Sequence, residues 1–208
     1  MSAPRYLFCD LETNGLHRRK NLVLEIGLIA IDDDWNTLAE ADILVHIPPS
    51  LAMEGVHPTV REMHTKNGLF DELDAAYRAA QAEGGARHTE PAHAYLQASH
   101  TVREFLSDTG YDVGEVILCG HSIHFDRGFI QEQLPAFETW LSHRMMDFGA
   151  IGRFLREQAK EWDIPFIEPA PMPHRGLADA RIELTEARNL RATLRAVFDA
   201  YTRNYFGP

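Results

Sequence analysis

The run Tyr6-Leu7-Phe8-Cys9-Asp10-Leu11-Glu12-Thr13-Asn14-Gly15-Leu16 constrains this chain more than any other stretch. An apolar segment leads straight into two carboxylates one residue apart, and Asn14-Gly15 then supplies a turn signal. Successive side chains of a strand alternate between faces, so Asp10 and Glu12 share one face while Cys9 and Leu11 share the other. Two carboxylates held side by side repel unless a cation lies between them, and hard divalent ions with oxygen ligands suit that arrangement. A solvated strand end with two surface acids has the same local sequence. A functional site therefore requires further acids to converge on this point from elsewhere.

The 208 residues suffice for one α/β domain with a full core, and 1–208 reads as a single domain. No apolar run reaches the roughly 20 residues of a membrane span. The N-terminus lacks a signal-peptide layout, so the expectation is a cytoplasmic protein with no membrane association. Cys9 and Cys119 sit in apolar, strand-like runs, which predicts reduced core thiols rather than a disulfide. The net charge of −11 argues against a protein that coats long nucleic acid, because that affinity rests on neutralising many phosphates. It is compatible with an enzyme that handles a few nucleotides and neutralises them with metal and a few arginines.

Leu22–Ile31 reads as a second strand interrupted by Glu25 and Gly27, and Thr37–Ile47 as a third, with Ile43, Val45 and Ile47 alternating. Short turns between them predict an antiparallel meander. The basic loop His17-Arg18-Arg19-Lys20 is a solvated turn or, beside a phosphate site, a source of positive potential. Asp32-Asp33-Asp34 is a turn without the spaced ligands and glycine of an EF-hand. Short helical turns fit 48–64, and helices fit Leu69–Ala82 and Ala92–Ser107, the latter with Tyr95, Val102, Phe105 and Leu106 inward. Residues 83–88 read as a loop. A short buried strand over Val116–Cys119, a helix over Phe125–Leu134, a fifth strand over His143–Asp147 and a helix to Ala159 follow. Residues 160–174 read as a long surface loop, and Pro171, Pro173 and Gly176 suggest that its end need not be ordered without substrate. The last helix, Leu177 to about Arg203, repeats Leu177, Leu184, Leu190, Leu194 and Val197 at helical spacing.

Three more candidates stand at element ends. Asp126 begins the helix after the fourth strand, beyond the carboxyl end where α/β sheets gather ligands. Asp179 lies in the first turn of the last helix, and His174 precedes it. Singly, each acid is also a first-turn residue favoured by the helix dipole by about 0.3–1 kcal/mol, and His174 is an ordinary loop histidine. Cys119, His121 and His124 do not make a zinc site, since no second Cys/His pair closes the tetrahedron.

Taken together, Asp10–Leu16, Gly120-His121-Ser122-Ile123-His124-Phe125-Asp126 and His174-Arg175-Gly176-Leu177-Ala178-Asp179 match the three motifs of the DEDDh 3′→5′ exonucleases in order, including the five-residue step from His174 to Asp179. The chain resembles that superfamily. Within it, the chain is most similar to the oligoribonuclease family, through 63–69, 134–138 and 143–147. The resemblance implies an α/β, ribonuclease-H-like fold, a mixed five-stranded sheet flanked by helices with residues 5–12 central and 116–119 beside them.

It also implies hydrolysis of short single-stranded RNA or DNA from the 3′ end, releasing nucleoside 5′-monophosphates. The implied cofactors are two Mg²⁺ or Mn²⁺ ions about 3.5–4 Å apart. Asp10 would touch both, Glu12 and Asp179 the nucleophile-side ion, and Asp126 the other. His174 would take the proton of the attacking water, a task suited to an imidazole. Leu16, His64, Ser122 and Arg144 fall in the substrate pocket by the same match, and a homodimer is the implied assembly. Departures from the family concern substrate preference. Thr59 is nearest to the family's wedge tryptophan, Phe148-Gly149 replaces a usual serine, the stretch 83–88 is an addition, and Asn14 with Phe125-Asp126 leans toward the DNA-proofreading branch. Two other readings stand beside this one, an exonuclease of general single-stranded 3′ ends and a nucleic-acid-binding module without catalysis.

Overall fold

The computed structural model describes residues 5–84, 91–161 and 170–206. Short turns join β1 (Tyr6–Thr13), β2 (Val23–Ile31) and β3 (Thr37–Leu44) into the expected antiparallel meander. The chain then passes through α1 (Pro49–Ala52), α2 (Pro58–Lys66), α3 (Leu69–Gly84) and α4 (Pro91–Asp108). It returns as β4 (Val116–Gly120), parallel to β1. α5 (His124–Gln133) and α6 (Pro135–Glu138) lead to β5 (Leu141–Asp147), parallel to β4, before α7 (Phe148–Glu161) and α8 (Gly176–Phe206). The sheet order β3-β2-β1-β4-β5 makes β1 central. Tyr6, Leu7 and Phe8 pair with Ile117, Leu118 and Cys119, as the sequence predicts.

Strand alternation sorts the core into two layers. Leu7, Cys9 and Leu11, with Ile26, Leu28 and Leu118, pack under Leu69, Leu73, Val102, Leu106, Phe129 and Phe137 from the α3–α6 side. The other face sets Phe8, Ile29, Ile31 and Cys119 against Ala180, Leu184, Ala187 and Leu190 of α8 and Phe148 of α7. Each large apolar side chain so buried contributes about 1.5–3 kcal/mol. Cross-strand partners on this α8 face run Phe8↔Ile29, Asp10↔Gly27 and Glu12↔Glu25. The face is therefore apolar at one end and acidic at the other, and the acidic end holds the candidate site.

α8 starts directly on the strands. A Cβ at Gly176 would lie 2.7 Å from Gly27 N and 3.1 Å from Asp10 O, and one at Gly27 would overlap the Gly176 carbonyl and Leu177 N. Glycine at both positions lets the helix begin against the sheet.

Several boundaries differ from expectation. β3 ends at Leu44; Val45 still donates to Leu24 O at 2.9 Å, but the chain then turns toward α1 with Val45 and Ile47 buried outside the strand. α3 continues to Gly84, into what reads as a loop; 85–88 of that loop and 162–169 of the second expected loop lie outside the described residues. α6 was not foreseen; Pro135 starts it at a position where a missing N–H costs nothing. In α8 the apolar repeat is buried only to Leu190; Leu194 and Val197 are exposed, as is every described side chain from Arg191 on, because the helix runs past the edge of the layers it covers. Cys9 and Cys119 are free and buried. Among the described residues, no helix is long and apolar enough to cross a membrane.

Candidate active site

β1 and β4 pair only as far as Phe8↔Cys119, so the amides of β1 beyond Phe8 have no strand partner on that edge. A buried N–H needs an acceptor. Asp126 supplies it: buried in the first turn of α5, it turns back to β1, where its Oδ1 accepts from the Leu11 amide at 3.0 Å. The residue between Asp10 and Glu12 thereby brings the acid from α5 up to both.

Asp179 comes from the other side of the sheet. Buried in the first turn of α8, its Oδ2 accepts from the His174 amide at 3.1 Å, and its own amide donates to Arg175 O at 2.8 Å. His174 has φ of 58°, in the left-handed region where histidine is over-represented. Asn67 Nδ2 donates to the His174 carbonyl. One ligand atom each from Glu12, His174 and Asp179 lie within 4.8 Å of one another, with the His174 side chain exposed and both acids buried. His174 stands beside the acids, although the prolines around it suggest a loose loop.

Crowding shifts the acids upward. Burial, then the fields of Asp126, Glu183, Glu12 and Asp179, hold Asp10 well above the carboxylate range. Burial, followed by Asp179 and Glu25, pushes Glu12 up to about 8. Burial lifts Asp126 to about 7 despite the Leu11 amide, and Asp179 to about 6. Such a cluster holds either protons or a cation. Asp179 Oδ1 and Glu183 Oε2 are buried with no hydrogen-bond partner. Unpaired oxygens in a set made almost wholly of carboxylates fit a hard divalent cation, which Asp10, Glu12, Asp126 and Asp179 could hold.

No family model matches the chain. An oligoribonuclease of Streptomyces avermitilis is 32% identical over 193 residues, which cover 91% of this chain and 86% of that protein. The chain belongs to the oligoribonuclease family. Among solved structures, S. pombe Pop2p in its Mg²⁺- and Mn²⁺-bound form gives a TM-score of 0.55 at 15% identity, covering 98% of this chain and 85% of that one. E. coli exonuclease I in complex with a 5cy-dA13 oligonucleotide gives 0.58 at 14% identity, covering 94% of this chain; the match spans 42% of exonuclease I. Both likenesses concern the fold alone, a ribonuclease-H-like mixed five-stranded sheet flanked by helices.

The four residues matched to the oligoribonuclease substrate pocket are placed differently from one another. Leu16 is 77% exposed just beyond β1. Ser122 is exposed after β4 at a positive φ of 50°, its amide donating to Asp147 Oδ1 at 3.2 Å. His64, by contrast, is fully buried, with Nε2 3.1 Å from Thr13 O and 3.7 Å from Glu12 Oε2. Burial lowers its pKa, and a carbonyl only accepts, so the neutral ring carries its proton on Nε2 and braces β1. Arg144 is exposed on the edge strand β5 beside the Leu118↔Met145 rung, short of the Gly120↔Asp147 rung at the carboxyl end, so it stands farther back than the other three.

Two acids were missed. Glu183, pushed to about 9 chiefly by burial, accepts from the His121 amide at 3.0 Å. Its signal was the spacing of four from Asp179, which places both on one helix face. Glu25 is fully buried and paired with Arg175 at 2.7 Å. Its signal was a lone charge inside an apolar strand, which needs a partner because an uncompensated buried charge costs about 3–5 kcal/mol.

Proposed function

We propose that residues 1–208 form one metal-dependent 3′→5′ exonuclease domain that removes nucleoside 5′-monophosphates from short single-stranded RNA or DNA. The observation that carries this reading is that Glu12, Asp179 and the exposed His174 each bring a ligand atom within 4.8 Å of one another, with Asp126 on the intervening Leu11 amide and Asp10 in the field of the other three acids. Three elements, β1, α5 and α8, and the loop just before α8 deliver these five side chains, which a module that only binds nucleic acid has no need to assemble.

Two Mg²⁺ or Mn²⁺ ions, when bound, supply positive charge for the attacking and leaving oxygens and a water acidic enough to ionise near neutral pH. Asp10 would hold both, Glu12 and Asp179 one, and Asp126 the other. The His174 ring accepts the proton of the attacking water, since it is the most exposed of the five and can meet an arriving phosphodiester. Leu16 offers an apolar side chain to a base, and Ser122 and Arg144 offer donors to phosphate. His64 acts one step back by bracing β1 at Thr13, next to Glu12.

A cytoplasmic homodimer completes the reading. The exposed Leu194, Val197, Phe198 and Tyr201 along α8 support a second copy as their cover, and sedimentation velocity reads one chain or two.

The deciding experiment is hydrolysis of end-labelled RNA and DNA dinucleotides and 20-mers with Mg²⁺, Mn²⁺ or chelator. Dinucleotides should yield mononucleotides faster than 20-mers and only with metal. Equal rates on 20-mers would move the reading to general 3′ ends, and no hydrolysis would leave a binding module.

A further inference from the structure

Arg175 lies between His174 and the first residue of α8, and its guanidinium is forked between two carboxylates. Nε donates to both Glu25 oxygens of β2, at 3.1 and 3.2 Å, and Nη2 donates to Glu25 Oε1 at 2.7 Å. On its other side, Nη1 and Nη2 donate to Glu72 of α3 at 2.8 and 2.7 Å. Gly176 N adds a bond to Glu25 Oε2 at 2.7 Å. Asn67, between α2 and α3, donates to the His174 carbonyl while its Oδ1 accepts from Leu69 N at 3.1 Å. The His174 amide is held by Asp179. His174 is thus tied at its amide, at its carbonyl and through the next side chain, in a left-handed conformation that a loop does not hold unaided.

The two halves of the fork differ in what the fold requires. Glu25 is fully buried and needs a counter-charge, whereas the Glu72 side chain is half exposed and does not. One carboxylate is enough to explain why an arginine is present. The second fork ties the loop to α3, whose neighbour α2 carries His64 against Glu12.

We propose that Arg175 is the positioning residue for His174: forked between β2 and α3, it sets the imidazole beside Glu12 and Asp179 and makes that placement depend on the seating of α2 and α3. The proposal rests on His174 acting as the base, as read above. Lysine at this position would keep the charge that Glu25 needs but could not form two planar forks.

The test is a set of double-mutant cycles on a dinucleotide substrate with Mn²⁺, reading kcat, KM and melting temperature. Variants are Arg175→Lys, Glu72→Gln, His174→Ala, and each of the first two combined with His174→Ala. Misplacing a base costs rate rather than affinity, so Arg175→Lys should lower kcat by about 10–100-fold and Glu72→Gln by about 3–10-fold, with KM within about threefold. Neither should lower the rate further once His174 is alanine. Equal factors with and without His174, or unchanged kcat in both single variants, would reduce Arg175 to the counter-charge of Glu25 and overturn the proposal. Should Arg175→Lys fail to fold, Glu72→Gln decides alone, because Glu25 then keeps its arginine. An inactive wild type would overturn the exonuclease reading itself, and an active wild type that loses nothing in His174→Ala would overturn the assignment of the base and its positioning together.

Discussion

The Leu11 amide donates to Asp126 Oδ1 at 3.0 Å across 115 residues of sequence. The bond allows charge and hydrogen bonding at Asp126 to be separated. Asp126→Asn keeps an acceptor for Leu11 but no charge, so stability should hold within about 1 kcal/mol while hydrolysis falls at least about 10²-fold. Asp126→Ala should lose the same activity and a further ~1–3 kcal/mol, because the buried amide is left unpaired. Melting curves and initial rates on both variants check this; an asparagine variant retaining a tenth of wild-type rate would take the Asp126 charge out of the site.

Asp10 feels all three other acids of the site and Glu183. Asp10→Ala should lower hydrolysis by about three orders of magnitude, since on the proposed reading Asp10 would hold both ions and water would not replace it. Calorimetric titration with Mn²⁺ should show weakened binding in parallel, and unchanged Mn²⁺ binding would remove Asp10 from the centre.

His174→Ala should lower kcat by roughly 10²–10⁴, the usual share of a positioned base. Its side chain is exposed, so the melting temperature should barely move. Rates within threefold of wild type would leave a metal site without its base.

The raised acids give the fold a pH dependence of definite sign. A carboxyl whose folded pKa exceeds its unfolded value of about 4 binds more protons folded than unfolded, so stability falls as pH rises between the two values. Asp179, Asp126, Glu12 and Glu183, pushed to about 6, 7, 8 and 9, set that window at about pH 4–9. In chelator the melting temperature should fall progressively across it. Mn²⁺, which binds the ionised forms, should restore stability increasingly toward the alkaline end. A melting temperature flat in pH with chelator would contradict the crowding of these acids.

Gly27→Ala should cost about 1–3 kcal/mol or more, because the new methyl overlaps the Gly176 carbonyl and Leu177 N. Activity should fall in the surviving folded fraction too, since Asp179 and His174 ride on that end of α8. Full activity per folded molecule would show that the helix yields without moving them.

What was legible in the sequence was local. Alternation around Asp10 and Glu12, and acids just past element starts, are properties of neighbouring residues, and they placed β1, Asp126 and Asp179. Side-chain partners distant in sequence were not legible, whereas the pairing of β1 with β4 and the joining of the three motifs came from the family resemblance. Glu25 read as an interruption of a strand because Arg175 lies 150 residues away. The prolines around His174 argue for a loose end because the bonds that tie it come from Asn67, Glu25 and Glu72. Helical spacing predicts an apolar face for all of α8, but only packing tells that its cover stops near Leu190.

The contact between Gly27 and Gly176 is main chain on main chain, built from atoms that every residue shares. The height of Asp179 above β1 is consequently gauged by that close approach of two backbones. Changes in pace or in preferred substrate have to enter through parts that overhang the sheet, such as Leu16, Ser122 and the α2–α3 pair. The two glycines act as a fixed datum for the chemistry, and they leave the rim as the ground on which relatives of this protein can diverge.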